Sequence, residues 1–363
     1  MNTCVRQQTF FVGVDVHKDT HTAVGVTPFG EKIFEVKIGN YPHDFESLAS
    51  RVEQTKSKTS LSPYFGLEDC HGYGSRLAMF LAEAGYPVVH VPPILVDDRR
   101  KNSTHPEKND SLDAYGVAEV MIRKIDTLPA YILTDERKIA NDLREISIDR
   151  GFLVKEKTRL KNQLHTFLHR LHNTGYRTMF SNPFSQKALK HWLKAYPRGA
   201  SPFVIRAMKR KVRRLLAIQE EIKELEAELA KLVADSGHTI QTASGCGAVT
   251  AGAIIGEIGD ISRFKSPGSL AKYAGCAPRE CSSGKTFRHR KTRAGNRRLN
   301  CAFHRMALSQ ISRMGNPLAL RYFRKKVSEG KTKSQALVCL RRQMVNIVWS
   351  MMKHRTVYRY PQG

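Results

Sequence analysis

The sequence predicts an α/β N-terminal domain, a helical coiled-coil middle and a mainly α-helical C-terminal domain. Three observations indicate this order. Short apolar runs of strand length occupy the first third, apolar residues at 3-4 spacing occupy the middle, and a compact, strongly basic region occupies the last third. We place the domains at residues 1–130, 131–236 and 237–363.

The first domain alternates strand-like and helix-like segments. Strands are predicted at residues 10–14, 22–27, 32–37, 64–68 and 87–91, and helices at 41–55 and 74–84. Three meandering strands followed by strand-helix-strand alternation predict a mixed sheet covered by helices, which is the layout of ribonuclease-H-like folds. Residues 97–108 are polar and basic, and we predict that they form a loop near the ends of these strands.

Four acidic residues of this domain stand out by their positions. Asp15 interrupts the first apolar run and Glu68 ends the fourth, so each lies at the end of a buried strand. Asp110 and Asp113 are three residues apart at the start of a helical stretch, which places both on one helix face. Four converging carboxylates would repel one another unless cations neutralised them. Oxygen ligands suit Mg²⁺ or Mn²⁺, and two such ions can bind the attacking and leaving oxygens of a phosphodiester.

Each of these acids also has a structural explanation. Acids are common in the first turn of a helix, where Asp110 and Asp113 lie, for capping and dipole reasons alone. Asp15 also begins a polar turn that follows its strand. Asp69 competes with Glu68 for the same role, because strand alternation would turn one of the two away from a shared site.

The charge of the chain indicates a polyanionic partner. The formal net charge is +27 and the sequence pI is about 10.0, so nucleic acid is the expected partner. A merely soluble, highly charged surface or a membrane-surface binder is the alternative, but no apolar run reaches the roughly 18 residues of a membrane span. We find no export leader, and the seven cysteines form no Cys-x-x-Cys pair, so zinc and disulfides are not expected. We therefore expect a cytoplasmic, nucleoid-associated protein.

The middle of the chain predicts two long helices that pair. Apolar residues keep 3-4 spacing through residues 139–171, with interruptions at Arg150 and Lys157, and through residues 205–232. The pairing is either a hairpin within one chain or a coiled coil between chains. The linker at 173–202 contains three prolines and is predicted to be a surface excursion. Cations crowd the start of the second helix, which suggests that one end of this arm lies against phosphate.

The last third combines a glycine-rich turn with a cluster of cations. Residues 242–255 resemble a helix-hairpin-helix, in which a Gly-x-Gly turn presents backbone N–H groups to a phosphate, although a plain helix-helix turn is the alternative. Ser283 precedes a glycine among cations and is a candidate nucleophile for a phosphodiester. We assign the following cations to a nucleic-acid interface: Arg279, Lys285, Arg288, Arg290, Lys291, Arg293, Arg297 and Arg298.

These motifs together resemble the DEDD-type insertion-sequence transposases of the IS110 class, relatives of the Piv DNA invertases. The resemblance runs from about Phe10 to the C-terminal helices. It is carried by Gly13-Val14-Asp15, Leu67-Glu68, the stretch KNDSLDA at 108–114, and AGCAPR at 274–279 followed by Ser282-Ser283-Gly284.

The resemblance implies a RuvC-like catalytic domain, a coiled-coil arm and a C-terminal domain whose serine becomes covalently bonded to DNA. It also implies that element ends and target, both double-stranded DNA, are recognised through a structured guide RNA encoded beside the gene, by a homo-dimer or tetramer. Carried over by residue, Asp15, Glu68, Asp110 and Asp113 hold Mg²⁺ and Ser283 is the nucleophile. Lys285 stands where relatives often have glycine, and Ser282 offers a second hydroxyl one residue away.

The resulting hypothesis is a transposase that cleaves and exchanges strands through a metal-dependent phosphoserine intermediate. Because the acids and Ser283 are far apart in sequence, two subunits together would complete the site. A RuvC-like hydrolytic nuclease or junction resolvase is the alternative among enzymes. A DNA- or RNA-binding protein without catalytic activity is the alternative from another class.

Overall fold

The computed structural model describes residues 3–101, 109–280, 289–290 and 295–359. These residues fall into two compact units, Met1–Asp135 and Glu136–Gly363. The division into domains at 130 and 236 stays a prediction.

The first unit is built on a six-stranded sheet in the order β3-β2-β1-β4-β5-β6. The strands are β1 (Thr9–Val16), β2 (Thr20–Val26), β3 (Lys32–Gly39), β4 (Ser62–Leu67), β5 (Val88–His90) and β6 (Ala130–Tyr131). Strand β4 pairs in parallel with β1 and with β5, whereas the other pairs are antiparallel. The predicted mixed sheet is therefore confirmed, and it is compatible with a ribonuclease-H-like fold.

Helices cover both faces of this sheet. They are α1 (Thr3–Gln7), α2 (Pro42–Thr59), α3 (Ser75–Glu83), α4 (Pro93–Lys101) and α5 (Asp110–Lys124), and a 3-10 turn follows at Ile125–Thr127. Alternate residues of β1 face opposite layers, since Phe10 packs in the cluster that contains α2 and α3 whereas Phe11 packs in the cluster that contains α4 and α5. Burial of both faces explains why the β1 sequence is an almost continuous apolar run.

Helix α4 corrects one prediction from the sequence. Residues 97–101 are the end of a helix and not a loop, whereas 102–108 lie outside the described residues. Proline is favoured in the first turn of a helix, and Pro93 stands at this start. Val96 then packs in the same apolar cluster as α5, so tertiary packing outweighs the polar composition of residues 97–101.

The second unit is mainly helical. Its helices are α6 (Asp135–His172), α7 (Gln186–Lys194), α8 (Pro202–Asp235), α9 (Ala248–Ile258), α10 (Pro267–Tyr273), α11 (Arg297–Gln310), α12 (Pro317–Ser328) and α13 (Lys333–His354). Short 3-10 turns lie at Asn173–Arg177, Ile240–Thr242 and Ile261–Arg263. Two short strands, β7 (Arg279–Glu280) and β8 (His289–Arg290), pair antiparallel. No helix in the described part of the chain is both long enough and apolar enough to cross a membrane.

Helices α6 and α8 run antiparallel along each other within the chain. Arg150, near the middle of α6, contacts Glu226 at 2.8 Å, whereas Gln163, farther along α6, accepts a hydrogen bond from Lys211 near the start of α8. The ion pair with Glu226 explains why an arginine interrupts the apolar spacing at position 150. A coiled coil between chains stays a prediction.

The linker between these helices is packed, so the predicted surface excursion is wrong. Tyr176, Phe184 and Trp192 are buried in one apolar cluster with residues of α6 and α8. The indole N–H of Trp192 donates to the carbonyl oxygen of Pro183 at 2.9 Å. The burial of these large aromatic side chains contributes enough stability to pack the segment, although it contains three prolines.

The start of α6 and the end of α8 pack into a different core. Leu143 of α6 and Leu229 of α8 join Ile254 of α9 and residues of α10, α11 and α13 in one apolar cluster. The turn that leads into α9 contains Gly245, whose φ of +77° favours glycine. Its assignment as a helix-hairpin-helix turn stays a prediction.

Candidate functional site

A close approach between β1 and α5 positions the candidate site. A Cβ atom on Gly13 would overlap the carbonyl oxygen of Ala114 and the amide nitrogen of Ala118. Only glycine therefore lets this helix lie so near the strand. The start of α5, which carries Asp110 and Asp113, is thus brought towards the end of β1, which carries Asp15.

Asp15 is a buried carboxylate on the central strand. The residue is only 4% exposed, and no described donor makes a hydrogen bond of normal geometry to its Oδ2 atom, although His17 Nε2 lies 3.0 Å away. Burial raises the pKa of Asp15, the charges of Asp113 and Asp110 raise it further, and His17 opposes them. Asp15 therefore lies in a negative and desolvated environment where a cation would be stabilised.

The start of α5 orients two further acids. Asn109 caps the helix, since its side-chain oxygen accepts a hydrogen bond from the Leu112 amide at 2.7 Å. Lys37 Nζ donates to Asp110 Oδ2 at 3.0 Å and, together with His17, keeps the pKa of Asp110 below its ordinary value. The other oxygen of Asp110, Oδ1, lies 3.4 Å from His17 Nε2. Lys37 thus holds Asp110 with one oxygen turned towards His17.

A cavity of about 370 Å³ brings the acids together. Its lining includes Asp15, Val16, His17, Glu68, Pro93, Ile94, Val96, Asp97 and Asp113. Three of the four acids predicted from the sequence therefore line one cavity. The fourth, Asp110, lies beside the cavity, because its Oδ1 is 3.4 Å from Nε2 of the lining residue His17. The start of α4 supplies the apolar wall and a further acid, Asp97.

The structure separates Glu68 from its neighbour Asp69. Asp69 Oδ1 accepts backbone hydrogen bonds from His71 at 2.9 Å and Gly72 at 2.7 Å, and Oδ2 accepts one from Tyr73 at 3.0 Å. These bonds are typical of an Asx turn and use both oxygens of Asp69. Glu68, and not Asp69, lines the cavity.

His17 also lines this cavity, and the sequence reasoning did not single it out. It follows β1 directly and stands two residues after Asp15, a spacing that turns two side chains of an extended segment to the same side. Asp15, His17 and Asp110 each offer one ligand atom, and these atoms lie within 4.8 Å of one another. The Asp-x-His spacing at the end of a strand was the available signal. Lys37 was missed as well, because only the folded sheet brings it beside Asp110, whereas Asp97 lies in the segment that we predicted near the strand ends.

These donors fit a divalent cation. Asp15 contributes a buried oxygen without a hydrogen bond of normal geometry among the described residues, and the surrounding groups are carboxylates and one imidazole. Buried carboxylates of this kind are stable when they are paired or bind a metal.

The predicted nucleophile lies outside the described residues. This holds for Ser283 and the alternative Ser282, and also for Lys285, Arg288, Lys291 and Arg293. Arg279 of β7 and Arg290 of β8 are paired backbone positions on adjacent strands. Arg297 and Arg298 begin α11. Arg297 also lines a polar cavity of about 420 Å³, together with Asn300, His304 and Arg341.

A buried carboxylate that the sequence reasoning did not single out contacts residues on either side of the segment that contains Ser283. Glu257 of α9 accepts a hydrogen bond from Asn296 Nδ2 at 2.5 Å. Its Oε1 lies 3.4 Å from Arg298 Nη1 and 3.7 Å from Arg144 Nε. The Tyr273 hydroxyl donates to the Glu257 carbonyl oxygen at 3.4 Å. Glu257 therefore ties α6, α10 and the start of α11 to α9.

A basic groove lies between α6 and α8. A cavity of about 510 Å³ is lined by Arg159, Leu160, Gln163, Ala207, Arg210, Lys211 and Arg214. Arg214 forms an ion pair with Glu156, whereas Lys211 donates to the neutral side chain of Gln163 at 2.8 Å. The groove therefore concentrates positive charge on the part of the arm where the sequence predicts contact with phosphate.

Comparison with known proteins identifies relatives along the chain. A DEDD transposase family model matches residues 12–173, and a model described as "Transposase IS116/IS110/IS902 family" matches residues 237–324, together more than half of the chain.

Relatives of similar length are found as well. The chain is 26% identical to the insertion element IS116 uncharacterized 44.8 kDa protein of Streptomyces clavuligerus, with 97% of each chain covered. It is 25% identical to the transposase for insertion sequence element IS1328 of Yersinia enterocolitica, over 65% of this chain and 67% of the relative. It is 22% identical to the pilin gene-inverting protein of Moraxella lacunata, over 94% and 95%. From the two family models and these relatives, the chain belongs to the IS110 class of transposases.

Proposed function

We propose that this transposase cleaves and exchanges DNA strands through a covalent phosphoserine intermediate formed at a metal-dependent site. The observation that carries the proposal is the convergence of Asp15, Glu68 and Asp113 on one cavity, with Asp110 beside it. Separate structural roles, such as capping or turn formation, would not require these acids to face a common space.

The four carboxylates would hold Mg²⁺ or Mn²⁺, and an ion bound there would orient the scissile phosphate. A divalent cation bound here would supply Lewis-acid polarisation of a phosphoryl oxygen and stabilise negative charge as it develops. Lys37 fixes Asp110, and the buried Asp15 is held rigidly on the central strand. This rigidity favours one orientation of the substrate over others.

Ser283 acts as the nucleophile. Its Oγ forms a bond to phosphorus and loses its proton, the bond from phosphorus to the 3'-oxygen breaks, and the departing 3'-oxygen gains one proton to become a 3'-hydroxyl. A 3'-hydroxyl from the partner duplex then attacks the phosphoserine, which restores a phosphodiester and the serine. One phosphoester bond is exchanged for another in each step, so no external energy source is required.

The partners proposed are double-stranded DNA at the element ends and target, and a structured guide RNA. The net charge of +27 and the basic groove of the arm support a polyanionic partner. The resemblance to the IS110 class supports the RNA guide and assembly as a homo-dimer or tetramer. The similarity to a pilin gene-inverting protein supports recombination as the type of reaction.

Hydrolysis by the acids alone is the second candidate function. The observation that favours it is that all four acids lie in the first unit, where they could activate water without the serine. A hydrolytic nuclease forms no covalent adduct with DNA, so an adduct separates the two candidates.

A trapping assay tests the proposal. The full-length protein, with RNA transcribed from the flanks of its gene, is incubated with Mg²⁺ and labelled element-end DNA, and adducts are resolved on a denaturing gel. We expect an adduct that is lost in Ser283→Ala and Asp15→Asn and retained in Ser282→Ala and Asp69→Asn. Loss in Ser282→Ala instead would move the nucleophile by one residue. Cleavage without an adduct would support hydrolysis, and neither product would support a binding protein.

A further inference from the structure

We propose that His17 is a direct metal ligand through Nε2, and that this nitrogen makes the site prefer Mn²⁺ to Mg²⁺. The inference rests on the proposed function, because it concerns the metal ion that the acidic cavity would hold. It adds His17 to the four acidic ligands and states which metal ion the site favours.

The distances around His17 match those between ligands of a shared ion. Ligand atoms that bind one octahedral ion at about 2.1 Å lie roughly 3.0 Å apart when they occupy adjacent positions. His17 Nε2 lies 3.0 Å from Asp15 Oδ2 and 3.4 Å from Asp110 Oδ1. An ion placed among the three atoms would need only small side-chain adjustments.

The position of His17 is fixed by the turn that follows β1. Its backbone N–H donates to the Thr20 carbonyl oxygen at 3.1 Å, and Asn40 Nδ2 donates to the Lys18 carbonyl oxygen at 3.1 Å. The side chain of His17 is 49% exposed, whereas that of Asp15 is 6% exposed. The imidazole therefore lies at the mouth of the cavity and the carboxylate at its base, so an ion entering from solvent would meet both.

The second oxygen of Asp110 already has a cationic partner. Lys37 Nζ donates to Asp110 Oδ2 at 3.0 Å, which leaves Oδ1 on the side of His17. A carboxylate that ligates a metal with one oxygen commonly accepts a hydrogen bond with the other. Lys37 donates this hydrogen bond to Asp110.

A nitrogen ligand changes which ion the site favours. Mg²⁺ binds oxygen ligands almost entirely, whereas imidazole is a good ligand for first-row transition ions. Mn²⁺ accepts carboxylates and imidazole together. A site with Asp15, Asp110 and His17 should therefore bind Mn²⁺ more tightly than Mg²⁺, and removal of the imidazole should reduce this difference.

The simpler explanation is that His17 only forms an ion pair with the two carboxylates. In that case a metal ion would displace the imidazole, and no bond from nitrogen to metal would form. The two explanations differ in the coordination of a bound ion, which can be measured without any assay of DNA cleavage.

The test measures Mn²⁺ binding to the full chain after removal of metal ions. Free Mn²⁺ is titrated by electron paramagnetic resonance, with Mg²⁺ as competitor, and pulsed measurements detect ¹⁴N coupled to bound Mn²⁺. The variants are His17→Gln, Asp15→Asn and the matched control His43→Gln, whose imidazole is exposed and pairs with Asp44 outside the cavity. Circular dichroism confirms that each variant is folded.

We expect ¹⁴N coupling in the unmodified protein and in His43→Gln, and its loss in His17→Gln with at least about tenfold weaker Mn²⁺ binding, since loss of even an outer partner of a ligand costs about 10- to 100-fold. Mn²⁺ binding that requires Asp15 but lacks ¹⁴N coupling would overturn the role of His17 and leave the acidic metal site intact. Coupling that persists in His17→Gln would also overturn it. No Mn²⁺ binding by the unmodified protein would overturn both this inference and the proposed metal-dependent function.

Discussion

Gly13 of β1 lies directly against the backbone of Ala114 in α5. This contact is the structural reason that Asp110 and Asp113, on the first turn of that helix, lie beside Asp15. Replacement of Gly13 by alanine should therefore affect both stability and the site.

Gly13→Ala should lower the free energy of unfolding of the first unit by about 1–3 kcal/mol, because the added methyl group meets backbone atoms that cannot rotate away. It should also weaken Mn²⁺ binding, since α5 would move away from β1. Urea unfolding and metal titration measure these effects. Gly151→Ala is the control, because nothing lies within 4 Å of its added Cβ and alanine favours a helix. Normal metal binding in Gly13→Ala would contradict the positioning role of this contact.

Asp15→Asn should stabilise the metal-free protein while abolishing activity. Burial raises the pKa of Asp15 above its unfolded value. The stability that this group contributes is complete below the unfolded pKa and is lost as pH rises through the folded pKa, so ionised Asp15 is unfavourable at neutral pH. We expect an increase in melting temperature of about 2–4 °C, the shift that about 1 kcal/mol produces in a domain of about 150 residues or slightly more, which is close to the length of the first unit.

Added Mn²⁺ should reverse the order of the two melting temperatures, so that the unmodified protein becomes the more stable of the two. The ion should raise the melting temperature of the unmodified protein, because it binds only the folded state, and should leave that of Asp15→Asn unchanged. Differential scanning fluorimetry with and without Mn²⁺ measures both shifts. Equal stabilisation of the two proteins by Mn²⁺ would place the metal elsewhere.

The buried His238 should make the second unit sensitive to acid. Its side chain is fully buried, its Nε2 lies 2.9 Å from Glu136 Oε1, and burial followed by the charge of Arg355 lowers its pKa. The unfolded chain therefore takes up a proton at a higher pH than the folded chain. Stability is complete above the unfolded pKa of about 6.5 and is lost as pH falls through the folded pKa.

Urea midpoints at pH 7.5, 6.5 and 5.5 test this expectation. The decline on acidification should be smaller in His238→Gln than in the unmodified protein. It should not vanish, because burial also lowers the pKa of His21, His165 and His172. His43→Gln, which removes an exposed imidazole, is the matched control. An identical decline in His238→Gln would exclude this histidine as a source.

Glu257→Gln should reduce adduct formation, because Glu257 contacts residues that follow the segment containing Ser283. The carboxylate contacts Arg144, Asn296 and Arg298, and the substitution removes the negative charge that the two guanidinium groups share. We expect about 1–3 kcal/mol of destabilisation and fewer trapped adducts at a temperature where the variant is folded. Glu145→Gln is the control, since Glu145 also contacts Arg144 but its side chain is 70% exposed. Adduct yields that match between the two variants would contradict the positioning role of Glu257.

The basic groove of the arm should contribute to nucleic-acid affinity. Lys211→Gln and Arg210→Gln each remove one cation, so each should weaken binding and reduce the slope of log affinity against log salt by about 1. Filter binding at several salt concentrations, with duplex DNA and with the flanking RNA as separate probes, measures the slopes. Lys231→Gln, at the other end of α8 and outside the groove, should leave them unchanged. Unchanged slopes for both groove variants would remove the arm from the interface.

The sequence predicted the central sheet because its signals are local. Each of the five strands predicted from alternation and turn residues is present, with ends shifted by at most two residues. Strand β6, two residues long, carried no periodic signal and was missed. The helical state of residues 97–101 was missed because burial of Val96 depends on α5, which the local sequence does not encode.

Asp15 stood out in the sequence because an aspartate within an apolar strand conflicts with its surroundings. His17, Lys37 and Glu257 gave no such conflict, since histidine and lysine are ordinary in polar turns or exposed strands and Glu257 ends an apolar helix. Their partners lie on other elements, so only the fold brings them together. The packed linker was missed for the same reason, because the burial of Trp192 depends on two distant helices.

The most direct test of the phosphoserine mechanism is to locate the covalent bond. Trypsin cleavage after Arg279 and Lys285 releases a peptide, residues 280–285, that contains both candidate serines. Mass spectrometry of a nuclease-treated adduct should find a nucleotide phosphate on Ser283, formed only with a divalent cation and absent in Asp15→Asn. A nucleotide on another residue, or an adduct that forms equally in Asp15→Asn, would contradict the mechanism.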